Sequence, residues 1–295
     1  MNLQKDRKYQ LIVGDYKNGN GLLIENLQVT FDISKSSDNK NKTNSAAIEI
    51  YNLSDESLKI LDTDYPAAVF SVGYSQIGIK QVFAGQVSLV TTRKSGTDRV
   101  TQLRLGTSYT ELNHNVLSQL TSPGRTVKDV FEDIRKALPG VSRGVYNGTN
   151  LNNQVLYGYP LVGTPKEMLN ELSEKYQVDW QIDDEVLYAH DKDRANDENF
   201  QQAYVISKYT GLIENAYRVT QKSDRSTKDK IKKQGVQWRM LLNPDIKAGS
   251  IVKLEDTLIQ GWYRVDSLRH FGGFRDNDFY TEVQASAIEK VVKSE

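Results

Sequence analysis

The chain contains no cysteine among its 295 residues. This excludes disulfides, thiol nucleophiles and cysteine-based metal sites. Histidine is scarce too: His114, His190 and His270 lie roughly 80 residues apart, without an HExxH pattern or a local pair that could hold zinc. His190 precedes a charged stretch and is predicted to be solvated, whereas His270 is predicted in a loop or at the edge of a β-barrel. We therefore expect neither a metal site nor a cofactor.

Long apolar runs are also missing. No stretch approaches the roughly 18 apolar residues of a membrane-spanning helix, and residues 1–13 are polar before a short apolar run, so we expect no signal peptide. The formal net charge is zero, because 38 Lys and Arg balance 38 Asp and Glu. The chain therefore has no overall field that attracts nucleic acid or a membrane, and its weak self-repulsion suits an assembly component.

Acidic clusters are the remaining candidates for catalysis. The run Asp183–Glu185 could supply paired carboxylates, but it falls between two alternating segments, which predicts a solvated hairpin turn rather than a cleft. The run Asp276–Asp278 resembles a fragment of a calcium loop without its downstream Gly and bidentate Glu, which favours a plain turn. These patterns predict no enzymatic activity.

The first third of the chain, residues 1–112, has the pattern of β-structure. Apolar and polar residues alternate from Leu27 to Ile33 and from Ala46 to Ile50, as in strands with one buried face. Ser54 is a candidate N-cap for a short helix. Lys94–Asp98 is predicted to be a hairpin loop between two further strands.

The middle of the chain, residues 113–202, combines helices with strands. Thr126 is predicted to cap a helix whose apolar residues share one face, and Pro139–Gly140 would end it. Thr164–Glu167 forms a capping box with Pro at the first helical position. An alternating hairpin from Val178 to Tyr188 follows, so this part is predicted to be an α+β domain.

A charged stretch, residues 191–202, is predicted to be a linker or an exposed loop, and residues 203–295 return to strands. Within them, residues 222–234 form a polar loop with six Lys or Arg and two Asp. Aromatic residues, which a nucleic-acid site would interleave with positive charge, are missing between Tyr217 and Trp238. This favours a solvated loop, or one ordered only at a subunit interface, over contact with DNA.

Several segments carry a family resemblance. The last part of the chain reads LLNPDIKAGSIVKL (241–254), GWYRVDSLRHFGG (261–273) and FYTEVQA (279–285), and the first part contains SAAIEIYNLSDESLKIL (45–61). These segments, and the order of β, α+β and β regions, resemble phage tail hub proteins. Such proteins sit beneath the tail tube and above the central spike.

The resemblance implies a β-rich α+β fold. Two small tube-type β-barrel domains, residues 1–112 and 203–295, would flank an inserted α+β domain, residues 113–202. It further implies a homotrimer whose six barrels join the hexameric tail tube to the trimeric central spike. The channel would pass the tape measure protein and then DNA, as cargo only. Other baseplate proteins would be partners, and the virion tail, assembled in the host cytoplasm, would be the location.

The expected subunit or partner contacts lie in the basic loop and in the last strands. They are Lys228, Lys230, Lys232, Lys233, Trp238, Trp262 and Tyr263. Core or inter-subunit packing suits the three aromatic residues, but stacking on sugars is an alternative, which would make the protein a cell-wall or glycan binding module of a phage tail. A cell-wall hydrolase fused to β-modules is a third hypothesis, which needs two facing carboxylates that the spacing does not supply.

Overall fold

A computed structural model gives the structure of residues 4–15, 20–37, 44–62, 66–107, 109–192, 203–220 and 234–288. Strands dominate these ranges, and the helices are few and short. The predicted β-rich α+β fold is thereby confirmed as a β-rich fold with few helices.

Within its described residues, the first part of the chain forms seven strands and one helix. They are β1 (Arg7–Asp15), β2 (Asn20–Ile24), β3 (Val29–Ser36), β4 (Ser45–Tyr51), α1 (Asp55–Leu61), β5 (Ala67–Tyr74), β6 (Gly78–Ser95) and β7 (Asp98–Gly106).

The elements of the middle part alternate between short strands and helices. They are α2 (Tyr109–His114), β8 (Leu117–Leu120), β9 (Arg125–Thr126), α3 (Val127–Lys136), β10 (Ser142–Asn147), a 3-10 helix (Asn150–Asn152), β11 (Gln154–Val155), β12 (Pro160–Gly163), α4 (Pro165–Tyr176), β13 (Val178–Asp183) and β14 (Val186–Asp191).

In the residues that the structure describes, the elements of the last part are all strands. They are β15 (Tyr204–Ser207), β16 (Tyr217–Thr220), β17 (Gln234–Leu241), β18 (Ile251–Glu255), β19 (Gln260–Gly273) and β20 (Phe279–Ala287).

Thirteen strands of the first and last parts form one continuous sheet. Its order is β16-β17-β20-β19-β3-β4-β7-β6-β5-β1-β2, with β18 paired to β19 and β15 paired in parallel to β18. The middle part has a separate three-stranded sheet, β10-β14-β13, and two small ribbons, β9 with β11 and β8 with β12.

Strand β19 joins the first and last parts of the chain, because it is long enough to pair with two different strands along its length. Its first half pairs with β18, from Gln260 to Arg264. Its second half pairs with β3, where Ser267 lies opposite Ser36 and Gly273 opposite Thr30. The first and last parts of the chain are therefore bonded edge to edge. The division into domains 1–112, 113–202 and 203–295 stays a prediction.

The buried apolar side chains form three clusters. One lies among β1–β7 and also receives Leu242 and Phe279 from the last part of the chain. A second fills the middle part, around Phe131 and Trp180. The third lies among β15–β20 and includes Trp238. The two parts of the large sheet thus have separate cores, although their strands are continuous.

The local signals in the sequence are confirmed at the helix starts. The Ser54 hydroxyl accepts the Ser57 N–H at the start of α1. Thr126 and Thr164 each form a capping box with the acid three residues later, at the starts of α3 and α4. The predicted loop 94–98 is a tighter turn than expected, since Ser95 and Asp98 are already paired in the β6–β7 hairpin.

Candidate assembly interface

The junction between the middle part and the large sheet is built around a buried lysine. Along β3 the side chains of Val29, Phe31, Ile33 and Lys35 point inward, because alternate residues of a strand share a face. The Lys35 ammonium lies 2.6 Å from Asp183 Oδ1 and 3.1 Å from an Asp184 oxygen. An isolated ammonium at this depth would be very costly, so both carboxylates are required partners.

The prediction that Asp183–Glu185 is a solvated turn is wrong. The β13–β14 hairpin does turn at Asp184 and Glu185, but its tip packs against β3 and the segment after β17. Besides Lys35, Asp184 faces Lys247, whose Nζ lies 3.4 Å from Oδ2. Sequence analysis missed these contacts because the lysines and the hairpin lie far apart in the chain. The one local indication was that Lys35 occupies an inward-facing position in the alternating pattern of β3.

The electrostatics of this cluster favour its ionised form. Burial would lower the pKa of Lys35, but the two carboxylates outweigh burial and raise this pKa above its ordinary value. Burial would raise the pKa of Asp184, but the nearby Lys35 and Lys247 bring it below its ordinary value. Lys35 and Asp184 therefore remain charged together at neutral pH.

Backbone polar groups complete the junction. Asn44, directly before β4, donates from Nδ2 to the Ile182 carbonyl at 3.0 Å and to Asp183 Oδ1 at 3.3 Å. Its own oxygen accepts the Ser36 N–H at 3.0 Å. The turn residues Asp184 and Glu185 both adopt left-handed backbone angles, with φ of 50° and 62°, as a type I′ hairpin requires. Neither is glycine, so the buried contacts of Asp184 help to hold a turn that is unfavourable for these residues.

The prediction for His270 is wrong as well. It lies inside β19, between Ile33 of β3 and Thr281 of β20, and its side chain is buried. Its Nδ1 lies 2.8 Å from Thr281 Oγ1. Burial, and then the positive charge of Lys35, lower the pKa of His270 to about 3. The imidazole is therefore neutral beside a cluster of charges.

His190 and Asp191 were predicted to be exposed, and both are buried at the end of β14. His190 Nδ1 lies 3.0 Å from the Asp191 carbonyl. The Asp191 carboxylate accepts the Thr149 and Asn150 N–H groups at 2.8 and 3.0 Å and thereby caps the 3-10 helix. Only Gly fits at position 148, where an added Cβ would overlap this carboxylate. The predicted linker thus starts after Asp191, and residues 193–202 lie outside the described ranges.

The structure places three of the predicted contact residues in the last part of the sheet. Trp238 and Tyr263 are buried in the third apolar cluster, and Trp262 is half-buried on β19. Core packing therefore accounts for Trp238 and Tyr263, and neither forms an exposed platform for a sugar.

The predicted contact residues of the basic loop lie outside the described residues. They are Lys228, Lys230, Lys232 and Lys233.

Two features are absent from the part of the chain that the structure describes. Within these ranges, no group of three or more His, Asp or Glu side chains is arranged to hold a metal ion. Among the same residues, no helix is both long and apolar enough to cross a membrane.

Comparison with known proteins identifies relatives of this fold. The family model described as "Baseplate hub gp41" matches residues 11–285. No curated protein sequence matches the chain.

Solved structures similar to the chain include tail proteins. The tail protein from Neisseria meningitidis MC58 is 13% identical, with a TM-score of 0.64 over 96% of this chain and 97% of its own. The 43 kDa tail protein of prophage MuSo2 from Shewanella oneidensis is 9% identical, with a TM-score of 0.62 over 95% and 98%. The E. coli c3393 protein, a type VI secretion component, is 11% identical, with a TM-score of 0.61 over 89% and 74%. At these identities the likeness shows the fold.

Proposed function

The chain belongs to the baseplate hub gp41 family, whose members are structural components of the phage tail, and from this premise we propose that it forms a homotrimeric hub. The hub joins the hexameric tail tube to the trimeric central spike and contacts other baseplate proteins. Its central channel passes the tape measure protein and then DNA. Assembly takes place in the host cytoplasm before the hub becomes part of the virion tail.

The observation that carries this proposal is the pair of β regions with separate cores. The first and last parts of the chain each bury their own apolar cluster, yet β3 and β19 bond them into one sheet. Each region acts as one tube-type barrel, and a rigid pair of barrels is repeated three times around a closed ring. Three chains then present six β modules to the sixfold tube. The E. coli c3393 protein is itself structurally similar to the T4 tail proteins gp27 and gp5, which is consistent with this role.

The partner contacts of the last part follow from burial. Trp262 is half-buried on β19 and is a contact for a neighbouring protein, with Trp238 and Tyr263 packed in the core beneath the same sheet. Lys228, Lys230, Lys232 and Lys233, which lie outside the described residues, are proposed as further contacts on sequence grounds alone. Glycan binding is not proposed, because the aromatic residues it requires are mainly used for packing.

We also propose that the chain catalyses no reaction. The two acidic groups that sequence analysis considered are used structurally: Asp183 and Asp184 neutralise Lys35, and residues 276–278 form a turn between β19 and β20. Incubation of the purified protein with peptidoglycan should release no soluble fragments. Release of sugar or peptide products above that of a heat-inactivated sample would contradict this part of the proposal.

Electron cryo-microscopy of the purified protein tests the hub itself. Views along the symmetry axis should show a threefold particle with six β modules around an open centre. The same preparation should have a mass of about three times 33.4 kDa by light scattering. A particle with one β module per subunit in the ring, or a monomer both alone and with tube and spike proteins, would overturn the proposal.

A further inference from the structure

The ionic joint beneath the β13–β14 hairpin also contains a buried amide. The β3–β4 register pairs Ser34 with Ser45, and its continuation by one residue places Asn44 directly opposite Lys35. Both side chains are almost completely buried. Opposite residues of an antiparallel pair have Cβ atoms about 5 Å apart, so the long Lys35 side chain can reach the Asn44 amide.

One carboxylate oxygen contacts both of these side chains. Asp183 Oδ1 lies 2.6 Å from Lys35 Nζ and 3.3 Å from Asn44 Nδ2. The nitrogen atoms of the amine and of the amide are therefore held around a single proton acceptor. The carbonyl oxygen of the same amide accepts the Ser36 N–H at 3.0 Å, which draws electrons from its carbon atom. An ion pair needs only the ammonium and the carboxylate, so the oriented amide is an additional feature.

We propose that Lys35 and Asn44 join spontaneously in an isopeptide bond, with Asp183 transferring the protons. Attack of an amine on an amide requires a nucleophile, an electrophilic carbon and a group that accepts and returns protons. Lys35 Nζ, Asn44 Cγ and the Asp183 carboxylate supply these three functions. The Ser36 N–H stabilises the negative charge that develops on Asn44 Oδ1 during the attack.

The reaction balances with the groups already present. The Lys35 ammonium gives one proton to Asp183, and the resulting neutral amine attacks Asn44 Cγ. Asp183 then gives this proton to the departing Asn44 nitrogen and receives another from the attacking nitrogen. The bond between Asn44 Cγ and Nδ2 breaks with its electron pair on the nitrogen, and neutral ammonia leaves. A new amide bond between Nζ and Cγ remains beside a protonated Asp183.

Burial favours the product over the ionised cluster from which the reaction starts. A buried ammonium and a buried carboxylate are replaced by a neutral amide and a neutral acid, which removes the cost of desolvating two charges. Asp184 keeps its partner Lys247, at 3.4 Å. The low exposure of the site also limits competing hydrolysis by water. The reaction occurs once within each chain, without an external substrate, and is independent of the proposed hub.

Mass spectrometry of the folded wild-type chain tests the proposal. Each chain should be lighter than its sequence by about 17 Da, the mass of one ammonia. After complete digestion with trypsin, Lys35 should be uncleaved and its peptide should be joined to the peptide that contains Asn44. A folded chain that keeps its full mass after prolonged incubation at neutral pH would overturn the proposal. The same loss located instead at an Asn-Gly sequence, where a succinimide forms, would overturn it too; such sequences begin at Asn18, Asn20 and Asn147.

Three variants assign the roles, with circular dichroism to show that each one folds. Lys35→Arg keeps the cation but lacks the amine nucleophile, so it should keep its full mass. Asp183→Asn cannot accept the proton, and its bond should form at least about a hundredfold more slowly. The matched control is Lys247→Met, which alters the same cluster through Asp184 and should lose ammonia as the wild type does. Loss of ammonia from Lys35→Arg, or an unchanged rate in Asp183→Asn, would refute the proposed reaction.

Discussion

The two faces of the sheet at the β3–β19 junction carry ion pairs of similar geometry in opposite surroundings. On the inward face, Lys35 and Asp183 approach to 2.6 Å with side chains only 4% and 10% exposed. On the outward face, Arg269 and Asp32 also approach to 2.6 Å, but their side chains are 46% and 44% exposed. The comparison shows that the distance between the charged atoms does not by itself determine how much each ion pair stabilises the fold. Water screens the outer pair but not the inner one.

The two networks also connect different parts of the molecule. The outward pair continues through Glu282 to Arg239 at 2.6 Å, so this ladder crosses β3, β19, β20 and β17 within one sheet. The inward cluster instead bridges the large sheet and the β13–β14 hairpin of the middle part. The buried network therefore fixes one part of the fold on another, while the exposed one reinforces hydrogen bonds that already exist.

The largest expected effect comes from removing the buried cation. Lys35→Met should lower the free energy of unfolding by about 3–5 kcal/mol, because it leaves buried carboxylates without their partner. Urea denaturation followed by tryptophan fluorescence measures this loss. The matched control is Lys8→Met on the exposed side of β1, which should change stability by less than about 0.5 kcal/mol. Equal losses in the two variants would contradict the importance of burial.

The second effect concerns pH and the neutral His270 beside the inward cluster. Its pKa is lowered from 6.5 in the unfolded chain to about 3 in the fold, so its contribution is complete above pH 6.5 and is lost as the pH falls towards 3. Between pH 6.5 and 5 the loss should be about 2 kcal/mol.

His270→Asn is the control for this pH dependence, because it keeps a polar group near Thr281 but does not titrate. Its unfolding midpoint in urea should be nearly constant between pH 6.5 and 5. A second loss should appear below pH 3.8 in both proteins, where Asp184 begins to lose the stability that its lowered pKa provides. If wild type and variant show the same slope above pH 5, another group carries the effect.

The smallest effect is expected on the outward face. Glu282→Gln should cost at most about 1 kcal/mol, since exposed ion pairs contribute little and the strands remain bonded without them. The difference from wild type should shrink further when salt is raised to about 1 M, where screening shortens the reach of the charges to about 3 Å. If the free energy of unfolding fell by more than about 2 kcal/mol at every salt concentration, the outward ion pairs would stabilise the fold as strongly as the buried cluster does, which would contradict this prediction.

Short-range patterns in the sequence predicted the individual elements well. Alternation identified β3 and β4, and the hairpin of β13 and β14 fell where Val178, Trp180 and Ile182 indicated it. Caps at Ser54, Thr126 and Thr164 located the helix starts, because a cap bonds only to backbone three residues away. Family motifs in the first and last parts indicated the phage tail, which the family match confirms.

Prediction from the sequence failed for residues whose burial depends on contacts with distant segments of the chain. Asp183, Asp184, Glu185 and His190 were predicted to face solvent, because polar residues near turns usually do, and His270 was predicted in a loop or at a barrel edge. No local rule could place Asp184 beside Lys35, which is 149 residues away. The exposed apolar residues of β8 and β12 could not be identified either, since a short apolar segment is equally compatible with a buried strand.

The sequence by itself determined the strands, the helix caps, the absence of cysteine chemistry and the family of this protein, because each depends on neighbouring residues or on a motif. Only the tertiary structure decided that one strand, β19, bonds the two ends of the chain into a single sheet and that a hairpin tip becomes a buried ionic joint. The physical reason is that hydrogen-bond register and burial are set by which segments meet, and that choice minimises the energy of the whole chain rather than of any window in it.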